Sequence, residues 1–161
     1  MVTINLKTVT KNMPCILMVA FLLGVFATMT NAESPKKKIN SDVFGVAIKG
    51  YDTVAYFTER HAVKGKSEFA YNWSDAKWYF ASAEHRDLFE ADPERYAPRY
   101  GGYCAASMAS TGKMFDINPE AFKIIDGKLY LYYDNRYGNQ FAAKSEKNIK
   151  KADENWMKVN K

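Results

Sequence analysis

The sequence contains little cysteine, and this scarcity limits the architectures that the chain can adopt. Only 2 of its 161 residues are cysteines, which excludes a small fold held together by many disulfides. Glycine and proline are also few, at 9 and 5 residues, so collagen and low-complexity chains are excluded. What remains is an ordinary globular composition, 47% hydrophobic and 25% charged, with a length that suits one domain.

The one long apolar run lies near the N-terminus, at residues 13–29. Lys7 and Lys11 precede this run, and the small residue Ala32 follows it closely. This order of charge, apolar run and small residue is typical of a secretory signal peptide. We therefore predict a signal peptide at residues 1–32, cleaved after Ala32, and a periplasmic or secreted protein without a membrane span after cleavage. The alternative is a retained membrane anchor, because the run reaches the lower limit of a bilayer span.

Cleavage would leave a single thiol in the mature chain, because Cys15 lies in the leader and only Cys104 follows it. An internal disulfide is then impossible. A lone thiol in an exported protein is buried and inert, paired between molecules, or used as a ligand or reactive group.

The net charge of +5 is mild, and lysine and arginine do not gather in one predicted surface. Nucleic-acid binding requires such a cluster, so we expect no nucleic-acid partner. Residues 33–42 are polar and rich in lysine, and we interpret them as a flexible lead-in to a domain at residues 43–160.

Turn residues predict two β-hairpins within this domain. Ser74 and Asp75 lie in the first turn, and the Asp126-Gly127 pair is a strong hairpin signal. The apolar residues 43–48 predict a further short strand or a buried extended piece. The predicted hairpin strands are residues 63–73 with 77–81, and residues 122–125 with 128–133.

Capping residues and apolar spacing predict several short helices. Ser82 and Asp92 each precede a helical pattern, and Asp52 or Thr53 is expected to cap a brief helix. Residues 103–108 predict another short helix. A C-terminal amphipathic helix follows from apolar residues spaced by three and four, namely Ile149, Ala152, Trp156 and Val159. The sequence therefore predicts a small single α+β domain, with two short β-hairpins packed against several short helices and a C-terminal amphipathic helix.

Four ordered segments rich in aromatic residues lie between residues 50 and 105. They are residues 50–57 (GYDTVAYF), 78–89 (WYFASAEHRDLF), 92–96 (DPERY) and 100–105 (YGGYCA). Together they resemble the YHS domain family, in particular its exported bacterial branch, over residues 43–157.

The resemblance implies metal binding, which the broader family and its TRASH-like relatives achieve through three cysteines. Those cysteines correspond to Ala55, Ala81 and His85 in this sequence. Two of the three thiolates are therefore absent, and alanine cannot bind a metal ion.

A rebuilt metal site is one hypothesis, with His85, Cys104 and Met108 as its ligands and Met114 as a further soft donor. Thiolate, thioether and imidazole together suit Cu(I), so copper or zinc is the candidate ion. The alternative is that these residues belong to the core, where such side chains are common. Reactivity of the Cys104 thiol is a further hypothesis, since the residue lies near a predicted helix start.

A third hypothesis is a ligand-binding or interaction module, suggested by tyrosines in or beside the four segments. Tyrosine can line a pocket or fill a core with its hydroxyl bonded. We therefore expect a non-enzymatic binding domain with a metal role, whose partner is a metal ion or a periplasmic protein. The alternative is a structural or partner-binding module that has lost metal ligation. The tyrosines concerned are Tyr51, Tyr56, Tyr79, Tyr100 and Tyr103.

Overall fold

Two antiparallel hairpins and six helices make up residues 38–161, which are the residues that the computed structural model describes. The predicted signal peptide at residues 1–32 and its cleavage position lie outside the described residues. The predicted α+β class is confirmed for residues 38–161. The strands are β1 (Lys66–Trp73), β2 (Ala76–Phe80), β3 (Asn118–Ile125) and β4 (Lys128–Tyr132). The helices are α1 (Ala55–Thr58), α2 (Ala83–Ala91), α3 (Pro93–Tyr96), α4 (Ala105–Thr111), α5 (Asn135–Ala142) and α6 (Ser145–Val159).

Both hairpins close on the two-residue turns that the sequence predicts. Ser74 and Asp75 have φ of 53° and 59°, and Asp126 and Gly127 have φ of 50° and 70°. Positive φ at both central residues matches the right-handed twist of the paired strands. Strand β1 pairs only with β2, and β3 only with β4, so each sheet has two strands.

Side-chain caps fix the starts of three helices. The Ser82 hydroxyl accepts a hydrogen bond from the His85 N–H at the start of α2, and the Asp92 carboxylate does the same for Arg95 in α3. Asp134 caps α5 in the same way. These bonds satisfy N–H groups that have no partner inside a helix.

Aromatic side chains are the largest residues of the buried core. One ring cluster joins the first hairpin to α2, and a second joins β4 to α5 and α6. Ring centroids within each cluster lie 5.0 to 6.2 Å apart, a range in which aromatic pairs attract each other. The first cluster contains Tyr71, Trp73, Trp78, Phe80 and Phe89; the second contains Tyr100, Tyr130, Tyr132, Phe141 and Trp156.

The short strand or buried extended piece predicted at residues 43–48 is found only in part: Val46, Ala47 and Ile48 are buried, whereas Val43 and Phe44 lie in a turn. Asp42 accepts hydrogen bonds from the N–H groups of Phe44 and Val46, both at 2.9 Å, and Gly45 has φ of 76°. This turn leaves Val43 and Phe44 exposed at its tip. The residues that follow the turn make isolated bridges, such as Val46 with Lys77, and do not form a strand.

Residues 38–42, predicted as part of a flexible lead-in, take part in the fold. The Asn40 N–H donates to the Gly101 carbonyl at 2.8 Å, and the Asn40 carbonyl accepts from the Ile48 N–H at 2.9 Å. The Lys38 carbonyl lies directly over Gly101. Within residues 38–161, no helix combines the length and apolar character needed to cross a bilayer.

Candidate functional site

His85, one of the three predicted metal ligands, is held by two side chains from the segment around α1. It lies in the first turn of α2, and its side chain is 12% exposed. The imidazole Nδ1 is 2.7 Å from Oδ2 of Asp52, and Nε2 is 3.3 Å from Oγ1 of Thr58. Both ring nitrogens therefore have hydrogen-bond partners.

Asp52 is fully buried and accepts four hydrogen bonds. Its Oδ1 accepts from the N–H groups of Val54 and Ala55, at 2.8 and 3.2 Å, which confirms the predicted cap near α1. Its Oδ2 accepts from the Ala81 N–H at 2.8 Å in addition to His85. This number of donors compensates for the loss of solvent around a buried carboxylate.

The other two predicted ligands, Cys104 and Met108, lie one turn apart at the start of α4. The Cys104 N–H donates to the Phe115 carbonyl at 2.9 Å, and its own carbonyl accepts from the Met108 N–H at 3.0 Å. Both side chains are buried, and the Cys104 thiol is free. Met114, the further soft donor, is half exposed in the loop after α4.

The predicted ligands thus have different surroundings. His85 binds Asp52 and Thr58, and neither of these lines the pocket that borders Cys104. Met108 packs in the hydrophobic core. Across the described part of the chain, no three His, Cys, Asp or Glu side chains lie together as a metal site would require.

An open pocket of about 420 Å³ borders Cys104. One wall is the outer face of α4, and the opposite side carries three aromatic rings from the loop after α4, the end of β4 and α5. Among the described residues, none of the lining side chains carries a formal charge. The lining residues are Cys104, Ala106, Ser107, Ser110, Thr111, Phe115, Tyr133 and Tyr137.

The hydroxyl groups of α4 that line this pocket donate their protons to the backbone. Ser110 donates to the Ala106 carbonyl at 2.9 Å, and Thr111 donates to the Ser107 carbonyl at 3.0 Å. Ser107 donates to the Lys113 carbonyl at 3.0 Å. Each hydroxyl has one proton, which is already donated to the backbone. The α4 wall can therefore only accept hydrogen bonds from a bound ligand.

The sequence did not point to the three aromatic residues of the pocket. Phe115 and Tyr133 are 54% and 61% exposed, and Tyr137 is 38% exposed, although rings of this size usually lie in the core. Tyr133 comes directly after the last residue of β4, so the hairpin pattern could have placed it at the strand end. Nothing in the local sequence could have shown that the three residues face one cavity.

Two tyrosines from the four aromatic-rich segments lie in the core and not in the pocket. Tyr56 donates to the Pro119 carbonyl at 2.9 Å, and Tyr100 donates to Oδ1 of Asp153 at 3.1 Å. Burial is the main reason that the pKa of each phenol is raised well above its ordinary value. Their hydroxyls therefore stay protonated and bonded inside the fold.

Comparison of this chain with models of protein families, with curated proteins and with solved structures finds no match in any of the three.

Proposed function

We propose that this chain is an exported binding domain of the YHS type, whose pocket beside Cys104 binds a small uncharged molecule with a flat apolar part. The single observation behind the proposal is the pocket itself, in which three exposed aromatic rings face the α4 wall without any charged side chain. Export and YHS character rest on the signal-peptide pattern and the four motifs.

The dimensions and chemistry of the pocket favour a small molecule. Its volume falls within the range of roughly 300 to 1,000 Å³ found for small-molecule sites, which are mainly apolar with few polar groups. A charged guest would lose water without gaining a partner charge, so an uncharged guest is favoured. The hydroxyls of Ser110 and Thr111 can accept a hydrogen bond from an N–H or O–H group of that guest.

Binding of N-phenyl-1-naphthylamine, a neutral fluorescent aromatic amine, tests the proposal. We expect saturable binding at micromolar concentration, weakened at least tenfold by Tyr133→Ala. Phe44→Ala is the matched control, because Phe44 is an aromatic residue even more exposed than Tyr133 and borders a different surface hollow. Equal loss in both variants, or no saturable binding, would contradict the proposal.

A partner-binding module is the second candidate, and the exposure of Phe115 and Tyr133 favours it. Aromatic residues at the centre of a surface patch are typical anchors of protein interfaces. A protein partner would cover the pocket rather than fill it. Such a complex would block the amine probe, whereas a partner bound elsewhere would leave probe binding unchanged.

A further inference from the structure

Two side chains from the segment around α1 and one from α2 form a hydrogen-bonded chain of carboxylate, imidazole and hydroxyl. Asp52 Oδ2 lies 2.7 Å from His85 Nδ1, and His85 Nε2 lies 3.3 Å from Thr58 Oγ1. The same order of groups activates the nucleophile in hydrolases that form acyl intermediates. This site is separate from the pocket beside Cys104 and does not depend on the function proposed for it.

The surroundings of Asp52 determine the position of the imidazole proton. Three backbone N–H groups point at the carboxylate, from Val54, Ala55 and Ala81. Such a carboxylate is an acceptor, so Nδ1 of His85 must carry a proton to bond with it. In the neutral imidazole, Nε2 then has a free lone pair directed towards Thr58.

The hydroxyl proton of Thr58 has two acceptors within reach. One is Nε2 of His85, and the other is the Val54 carbonyl, both at 3.3 Å. Donation to Nε2 is the arrangement that a general base requires, because the base accepts this proton as the oxygen attacks. The hydroxyl proton can therefore pass to His85 without any change of rotamer.

Access for a substrate is also present. Thr58 is exposed at the end of α1, whereas Asp52 is fully buried behind it. A shallow hollow nearby in the sequence is lined by Arg60, Phe122, Lys123 and Ile124; Thr58 itself does not line it. Arg60 is two residues beyond Thr58, so the Cα atoms of these two residues are at most about 7 Å apart. Two cationic and two apolar side chains suit a small ester with a negative charge.

We propose that Thr58 is a nucleophile for acyl transfer from small activated carboxylic esters, with His85 as its general base and Asp52 as a positioning residue. The Thr58 oxygen forms a bond to the ester carbonyl carbon while its proton moves to Nε2 of His85. The bond from that carbon to the leaving oxygen then breaks, and the leaving alcohol takes the proton from Nε2. Water releases the acyl group from Thr58 by the reverse sequence, giving a carboxylic acid.

The test is reaction of the protein with p-nitrophenyl acetate and with the anionic p-nitrophenyl hemisuccinate, followed by peptide mass spectrometry. We expect an acyl group on Thr58, absent from Thr58→Val and retained in Thr58→Ser. His85→Asn is the key variant, because its side-chain amide can still donate to Asp52 but provides no base. We expect it to slow acylation of Thr58 at least tenfold, with acylation of surface lysines unchanged.

Acylation of Thr58 at the same rate in wild type and His85→Asn would overturn the proposal, as would acylation confined to lysines. If His85→Asn fails to fold, the comparison of Thr58→Val with Thr58→Ser still decides, because Thr58 is an exposed residue. The hemisuccinate should react faster than the acetate, and Arg60→Ala should remove that preference. Equal rates with both esters would overturn the role assigned to the hollow.

Discussion

His85 Nδ1 and Asp52 Oδ2 lie 2.7 Å apart, although the two residues are separated by 33 positions in the sequence. This bond ties the first turn of α2 to the segment that precedes α1. It is formed by a carboxylate without solvent exposure, and its stability therefore depends on the complete set of donors around it.

Replacement of Asp52 should be strongly destabilising. Both carboxylate oxygens of Asp52 accept hydrogen bonds. In Asp52→Asn, one oxygen becomes an NH₂ group, which cannot accept and would face N–H donors. We expect a loss of about 3 kcal/mol or more in the free energy of unfolding, measured by denaturation in urea. Asp87→Asn is the matched control, because Asp87 is exposed and, within residues 38–161, its ion pair is with neighbouring Arg86. This control should cost less than about 1 kcal/mol, and similar losses in both variants would refute the prediction.

The turn before Cys104 should not tolerate a side chain at Gly101. This residue has φ of 62°, and a Cβ atom there would lie 1.8 Å from the Lys38 carbonyl oxygen. Gly127→Ala is the control, because Gly127 has φ of 70° with open space around it. Backbone strain at a positive φ alone costs about 1 to 2 kcal/mol. We therefore expect Gly127→Ala to lower the free energy of unfolding by about that amount, and Gly101→Ala to lower it clearly more. Thermal unfolding of both variants measures the difference; equal losses would show that the Lys38 contact is unimportant.

Asp116 should contribute a small pH-dependent stability. Partial burial works to raise its pKa, but the Lys49 ammonium at 2.7 Å and hydrogen bonds from Ile117 and Asn40 outweigh this and hold the pKa below its ordinary value. The folded state thus favours the charged form. Its contribution is fully present above the unfolded pKa of about 3.9 and is lost as the pH falls through the lower folded value.

The comparison of wild type with Asp116→Asn over pH checks this prediction. Wild type should be more stable near neutral pH, by less than about 1 kcal/mol because Asp116 is mostly exposed. The difference should disappear in strong acid. A difference that grows as the pH falls would contradict the assigned direction of the pKa shift.

Soft-metal binding by Cys104 and Met108 stays a prediction that titration can test. The thiol and the thioether are one helical turn apart, whereas His85 has its own hydrogen-bond partners. If copper binds at α4, the protein should compete with a weak Cu(I) chelator, and Cys104→Ser should remove that competition. His85→Asn should leave it unchanged. Failure of wild type to compete, for Cu(I) and for Zn(II), would remove the metal role.

Short-range patterns predicted the elements that depend on local chemistry. The Asp126-Gly127 turn, the Ser82 cap and the spacing of apolar residues in α6 each appear where the sequence placed them. Helix α5 was missed, since its residues include Gly138 and few apolar side chains, and its stability comes from packing against β3 and β4. Residues 43–48 differ from the prediction at their start, where Asp42 folds Val43 and Phe44 into a turn, whereas Val46, Ala47 and Ile48 are buried.

The candidate sites depend on contacts that local patterns do not contain. Asp52 could be recognised as a helix cap, but its bond to His85 needs α2 to be folded against the α1 segment. Cys104 was singled out as the lone thiol after the predicted leader, but not the pocket beside it. The aromatic residues of that pocket come from three later segments, and only the folded chain brings Phe115 and Tyr137 to the same cavity.

The bonds of Asn40 to Gly101 and Ile48 also affect how the chain could mature. If a peptidase cuts after Ala32, only residues 33–37 separate the cut from backbone that is already engaged by the domain. The mature chain would then begin only five residues before Lys38, whose N–H donates to Oδ1 of Asn160 near the opposite terminus. A cut placed further along the chain would remove these bonds and destabilise the domain.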